Sequence, residues 1–157
     1  VTWRAAIGLL LSLAGLGLVT GYLLRLPTPA VTDRVTADDL TPALGCDPAQ
    51  GPCGASGAGM DIRFGIGPGV RPLVLFPILV DVSNVPPEAV LVEFSMRDMD
   101  MGINRFRLES DDGLHWTGQG VIPICSVGRR DWIATVLLDQ GDRRHRAVFG
   151  FQVAAGP

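Results

Sequence analysis

Three observations in the 157-residue sequence predict an all-β domain carried behind one apolar helix. The first is an uncharged run from Ala5 to Leu24. The second is a change, after Met60, to short apolar stretches that alternate in period two between Gly, Pro, Asn and Asp. The third is that no amphipathic helical period follows. The length beyond the apolar run suits one core rather than two. A net charge of −3, with 13 basic against 16 acidic residues and no Lys/Arg block, excludes a polyanion-binding surface and with it nucleic acid.

Residues 1–25 read as a transmembrane anchor. The run from Ala5 to Leu24 is bounded by Arg4 and Arg25 and carries Trp3 and Tyr22 near its ends. At 1.5 Å per residue it is about 30 Å long, the thickness of a bilayer core, with aromatics at headgroup level. A cleaved signal peptide competes with this reading, because Thr28-Pro29-Ala30 offers small residues, but the apolar core of such peptides is only about 7 to 15 residues. Arg4 faces Arg25 and Arg34 across the span, so the expected orientation, with the N-terminus cytoplasmic, follows mainly from the shortness of the N-terminal tail. Gly17 and Gly21, four apart on one helix face, and Gly8 with Ser12 at the same spacing, allow close approach of a neighbouring helix; glycine is also simply frequent in membrane helices.

Residues 26–59 hold Pro27, Pro29, Pro42, Pro48, Pro52 and the Gly-rich run from Gly51 to Gly59, without an apolar period, and are expected as a linker. Cys46 and Cys53 flank the turn-forming DPAQGP. A disulfide between them in an oxidising compartment is one reading; free thiols or a soft-metal pair are the others.

Residues 60–157 form the predicted β domain. Its strands are expected at Met60 to Ile66, Leu73 to Val82, Ala89 to Met96, Asn104 to Glu109, Leu114 to Val121, Asp131 to Leu138 and His145 to Val153. Val90, Val92, Phe94 and Met96 share one face of the third, and Ala147, Phe149, Phe151 and Val153 one face of the last. Ser110-Asp111-Asp112-Gly113 and Asp139-Gln140-Gly141-Asp142 read as hairpin turns. Pro77 points to an edge position or a bulge. About seven short strands in this length predict an immunoglobulin-like sandwich.

No catalytic constellation emerges. His115 and His145 fall in different strands, neither G-x-S-x-G nor H-E-x-x-H occurs, and the Gly-rich stretches lack a following helix to hold phosphate. A non-enzyme is expected. The unusual segment is Met96-Arg97-Asp98-Met99-Asp100-Met101-Gly102, with three of the four methionines in six positions. Thioethers suit Cu(I), and an extended run puts Met99 and Met101 on one face. Cys125, as a thiolate, completes a soft site with Met96, Met99 and Met101 if the fold brings them together, and His115 and His145 are further candidates. Methionine also fills irregular gaps in cores, and Met96 continues the buried face of its strand. Arg129 and Arg130 lie beside Trp132, either as a solvated turn entering a strand or as a docking rim for a carboxylate or lipid headgroup. Arg143-Arg144-His145-Arg146 reads as a hairpin end.

The order of an N-terminal span, strands, Met99 to Gly102, Asp112-Gly113 with Trp116-x-Gly118, Ile122-Pro123-x-Cys125 and Asp131-Trp132-x-Ala134 resembles the YtkA/FixH-like group. The likeness covers roughly Leu73 to Val153 plus the anchor. It implies an immunoglobulin-like domain tethered to the bacterial inner membrane on its periplasmic side, concerned with copper handling and the assembly of haem-copper respiratory oxidases. Met99 and Met101 match its methionine segment; a His-rich tract or second methionine cluster is missing here, and the linker cysteines are peculiar to this chain. The resulting expectation is an accessory protein that binds Cu(I) and works with integral membrane subunits and lipid. A structural subunit of a membrane complex, without metal, is the competing expectation, and a redox protein using Cys125 the weaker third.

Overall fold

The computed structural model describes residues 36–154. The anchor, with Gly17 and Gly21, lies outside them. Among the described residues no helix is long and apolar enough to cross a membrane, and the elements are all strands: β1 (Thr36–Pro42), β2 (Cys53–Gly57), β3 (Met60–Ile66), β4 (Phe76–Val82), β5 (Ala89–Ser95), β6 (Arg105–Arg107), β7 (His115–Gly120), β8 (Asp131–Gln140) and β9 (Arg143–Gln152).

They form one sheet in the order β6-β5-β8-β9-β1-β2-β3-β4-β7. It is nearly closed, because Glu109 and Thr117, just after β6 and within β7, exchange backbone hydrogen bonds of 2.9 and 2.8 Å. Strand β1 turns the corner. Thr36 to Leu40 pair in parallel with Arg143 to Ala147 of β9, after which Thr41 and Pro42 pair antiparallel with Ser56 and Ala55 of β2.

Period-two alternation places the core. Strand β4 reads buried at Phe76, Ile78, Val80 and Val82 and exposed between them. On β5, Val90, Val92 and Phe94 are buried and Met96 continues the face; on β9, Ala147, Phe149 and Phe151 do the same, followed by Val153. Aromatic rings join the two halves of the sheet. Phe94 packs edge-on against Phe76 at 5.4 Å and Phe151 at 5.9 Å and touches Phe106 at 5.9 Å, and Phe64 meets Phe149 at 5.0 Å.

Two features depart from the sequence expectation. The expected linker is, from residue 36 onward, part of the sheet: Cys53 and Ala55 of β2 are buried, and Ala58-Gly59, both at positive φ, close a two-residue hairpin from Gly57 to Met60. Small side chains carry little hydrophobic signal, so no apolar period betrayed this strand. Pro77 is also not at an edge, for β4 lies between β3 and β7. Its ring is accommodated opposite Gly67, where an added Cβ would come within 2.7 Å of Pro77 Cγ. The missing N–H falls at the second residue of the strand, where the ladder is only beginning.

Phe94 is the side chain on which the packing between the two halves of the sheet converges. Phe94→Ala is expected to lower unfolding stability by about 3–5 kcal/mol, whereas Val148→Ala, on the exposed face of β9, should change it by less than about 0.5 kcal/mol. Chemical denaturation of the two variants checks the contrast.

Candidate functional site

Loops at the pole where β5 ends and β8 begins bring the soft-donor candidates into reach. The segment after β5 is a tight turn, in contrast to the extended run the sequence suggested. Met96 and Met99 form a backbone bridge, Asp98 takes the left-handed conformation at φ 58°, and Asp100 Oδ1 accepts the Gly102 N–H at 2.8 Å. This turn separates the methionines. Met96 is sunk in the core, Met99 is half-buried and directed to Cys125, and Met101 lines a neighbouring cavity of ≈ 320 Å³ with Leu73, Ile103 and Ile122. Cys125 Sγ lies 3.7 Å from Met99 Sδ.

Cys125 is the free cysteine of the chain and is 8% exposed. It sits between Ile122, fully buried, and Gly128, which closes the loop by donating to the Cys125 carbonyl at 3.0 Å. Arg129 pins this loop to the methionine turn. Its guanidinium donates to the Arg97 carbonyl at 2.9 Å and to both oxygens of Asp131, at 3.0 and 2.5 Å. These hydrogen bonds, donated by Arg129 and accepted by Asp131, raise the Arg129 pKa and lower that of Asp131. Trp132 is buried, as the turn-into-strand reading requires, and Arg130 is exposed.

The other candidates are elsewhere. Cys46 and Cys53 are joined as a disulfide, with Cα atoms 5.8 Å apart. Closing so short a loop restrains the unfolded chain by roughly 2.5 kcal/mol in the chain-entropy model. His145 is 1% exposed on β9, beside the β8–β9 hairpin, with Nε2 3.2 Å from Gln140 Oε1 and Nδ1 unpartnered. It pairs in the ladder with Leu138, whereas the Cys125 loop adjoins Asp131 at the far end of β8. The structure therefore does not bring His145 to the sulfur pair.

His115 is held instead at the start of β7, opposite Asp81 of β4. Asp112 Oδ1 accepts the backbone N–H groups of Leu114 and His115 at 2.8 Å each, and Asp112 Oδ2 lies 2.6 Å from His115 Nδ1. These bonds, led by the His115 N–H, hold the Asp112 carboxyl far below its ordinary range, and the Asp112 hydrogen bond and charge raise the His115 pKa. Among the described residues no three His, Cys, Asp or Glu side chains gather as a metal cluster; methionine is outside that set of donors. Residues the sequence reading passed over are Leu73 and Val74, exposed beside Cys125. The apolar run that signals them predicts a strand from Leu73, but β4 begins only at Phe76, which leaves Leu73 and Val74 in the preceding turn.

No protein-family model and no curated protein matches the sequence. Among solved structures, the crystal structure of an engineered protein is similar to this chain at 14% identity and a TM-score of 0.44, over 59% of this chain. The match spans 20% of that structure's length.

A histidine whose pKa is raised on folding contributes stability that is complete below its unfolded value of about 6.5 and is lost as pH rises through the folded value. His115→Ala is therefore expected to be less stable than the parent at about pH 6, with the gap closing toward alkaline pH. Denaturation of both proteins across this range checks it, and an imidazole NMR titration midpoint at or below 6.5 would contradict the pairing.

Proposed function

We propose that this chain is a membrane-anchored extracytoplasmic accessory protein that handles Cu(I), in the service of haem-copper oxidase assembly. The Cys125–Met99 sulfur pair carries the reading. Two metal–sulfur bonds of about 2.3 Å meeting at a tetrahedral angle separate their sulfurs by about 3.8 Å, and the observed separation is 3.7 Å. A thiolate with a thioether is a soft set that selects Cu(I) over harder cations. Binding at Cys125 releases the thiol proton, and the half-buried Met99 supplies a neutral donor that a partner's ligands can displace. Copper here is cargo, held by few ligands so that it can leave.

Further support comes from the Cys46–Cys53 disulfide, which belongs to an oxidising compartment such as the periplasm. The apolar run from Ala5 to Leu24 is of spanning length. The immunoglobulin-like reading of the domain is supported by the parallel β1–β9 pairing at a corner strand and by the β4–β7 and β5–β8 pairings, each within one half, which make the connections β4 to β5, β6 to β7 and β7 to β8 pass between the two halves. The YtkA/FixH-like resemblance supplies the oxidase as the expected partner. The chain's role in this reading is non-catalytic.

One observation favours the second reading, a structural subunit without metal. A separation of 3.7 Å is also ordinary sulfur packing, and Met99 rests against the core cluster.

Competition titration of the full chain with a chromophoric Cu(I) chelator separates the two. Cys125→Ser and Met99→Ala are each expected to weaken Cu(I) binding by about tenfold or more, and Met101→Ala, facing another cavity, to change it far less. Parent-like affinity in Cys125→Ser sinks the copper reading. Stoichiometric co-purification with an oxidase in mild detergent would then identify a permanent subunit.

A further inference from the structure

The pole that holds Cys125 carries a second feature that copper handling does not use. A cavity of ≈ 710 Å³ opens there, with an apolar lining from Pro72, Leu73, Val74, Ile124 and Val153 and three guanidinium-bearing residues, Arg71, Arg129 and Arg130. Leu73, Val74 and Ile124 are 66%, 53% and 63% exposed. Large aliphatic side chains left that open at one place are unusual unless something covers them.

The backbone displays them at a cost. Leu73 stands at φ 62°, a left-handed conformation that is strained for a residue with a Cβ. Its N–H is tied to the Ile122 carbonyl at 2.9 Å, so the strained position is fixed by the loop that leads into Cys125. Strain of this kind concentrates at ligand-holding sites.

The cations are placed by the same ladder. Beyond β9, the Val153 N–H donates to the Arg130 carbonyl at 3.0 Å and the Ala154 N–H to the Val70 carbonyl at 3.2 Å, so Arg71 and Arg130 flank the two sides of this last segment. Arg129 is committed to Asp131 and Arg97. Arg71 and Arg130 are exposed and hold no carboxylate among the described residues, which leaves two guanidiniums at the rim of an apolar slot.

We propose that this cavity binds a singly headed anionic amphiphile, an alkyl chain ending in a phosphate or carboxylate. The chain lies against Leu73, Val74, Ile124 and Val153, and Arg71 and Arg130 take the headgroup, bidentately where the fork allows. A mostly apolar concavity of this size with a few placed polar groups is the ordinary form of a small-molecule site. The bound chain covers the Cys125 side of the loop. The proposal is independent of the metal, and its test uses metal-free protein.

The full chain in phosphatidylcholine nanodiscs is alkylated with iodoacetamide, and modification at Cys125 is followed by mass spectrometry. Octyl phosphate and octanoate are expected to slow the reaction, about tenfold when they exceed their dissociation constant by that factor, and to shift the Ile124 and Val153 methyl NMR signals. In Arg71→Gln with Arg130→Gln, both effects are expected to disappear, the protection being measured against that variant's own ligand-free rate. Equal protection by octanol, protection by inorganic phosphate alone, or methyl signals that stay in place with both amphiphiles overturns the proposal. The methyl signals decide if Cys125 proves unreactive. Nanodiscs containing phosphatidylglycerol distinguish the sources. Arg-dependent methyl shifts without additive place the headgroup in the bilayer, and shifts only with octyl phosphate or octanoate make the ligand a free amphiphile; either sustains the proposal.

Discussion

Strand β1 is hydrogen-bonded to both halves of the sheet, and the rest of the domain depends on that sharing. Its first residues run parallel to β9 and its last two pair antiparallel with β2, so a single strand of TADDLTP converts two groups of strands into one continuous order. Little apolar surface fixes it there, since Leu40 is its one buried aliphatic side chain. Backbone ladder bonds do most of the work, helped by a bidentate ion pair from Arg146 to Asp39, at 2.8 and 3.1 Å, between β9 and β1. The approach is close: a Cβ on Gly57 would come within 3.1 Å of the Asp39 carbonyl oxygen, so the partner strand carries glycine at this corner.

Once the sheet is nearly closed, the interior is filled by facing aromatics and chemistry is pushed to the poles. Strand β9 is 10 residues long, which separates its ends by about 30 Å. The chain enters the described domain at Thr36, opposite Arg143, at one end. Cys125, the methionine turn and the exposed Leu73 are at the other, beside Val153. A transfer site and an amphiphile site both need access to solvent or to a partner, and this pole offers it without breaking the ladder.

The same pole concentrates backbone strain. Leu73 and Asp98, at positive φ, lie in the two loops that flank the Cys125 loop, which is tied to the first by the Leu73 N–H on the Ile122 carbonyl and to the second by Arg129 on the Arg97 carbonyl. Besides that guanidinium, the methionine turn is fastened by the Met96–Met99 bridge, the Asp100–Gly102 hydrogen bond, the Met99–Cys125 contact and its packing on the core. The arrangement couples the sulfur pair to the rim of the apolar cavity, because the segment from Ile122 to Arg130 contributes Cys125 to the first and Ile124 and Arg130 to the second.

The sequence by itself determined the all-β class, the seven strands between Met60 and Val153, the buried faces of β5 and β9 and the Gly141-Asp142 turn, because each is a local pattern of apolar alternation or of turn chemistry. It also singled out Cys125 and the methionine segment by residue type alone. Only the tertiary structure decided that residues 36–59 belong to the sheet, because Gly, Ala and Asp strands are held by pairing and burial that no hydrophobic period records. The same holds for the parting of Met99 from Met101. Their spacing suits one face of a strand, but the left-handed Asp98 and the bridge to Met96 turn the chain, so that one thioether meets Cys125 and the other does not.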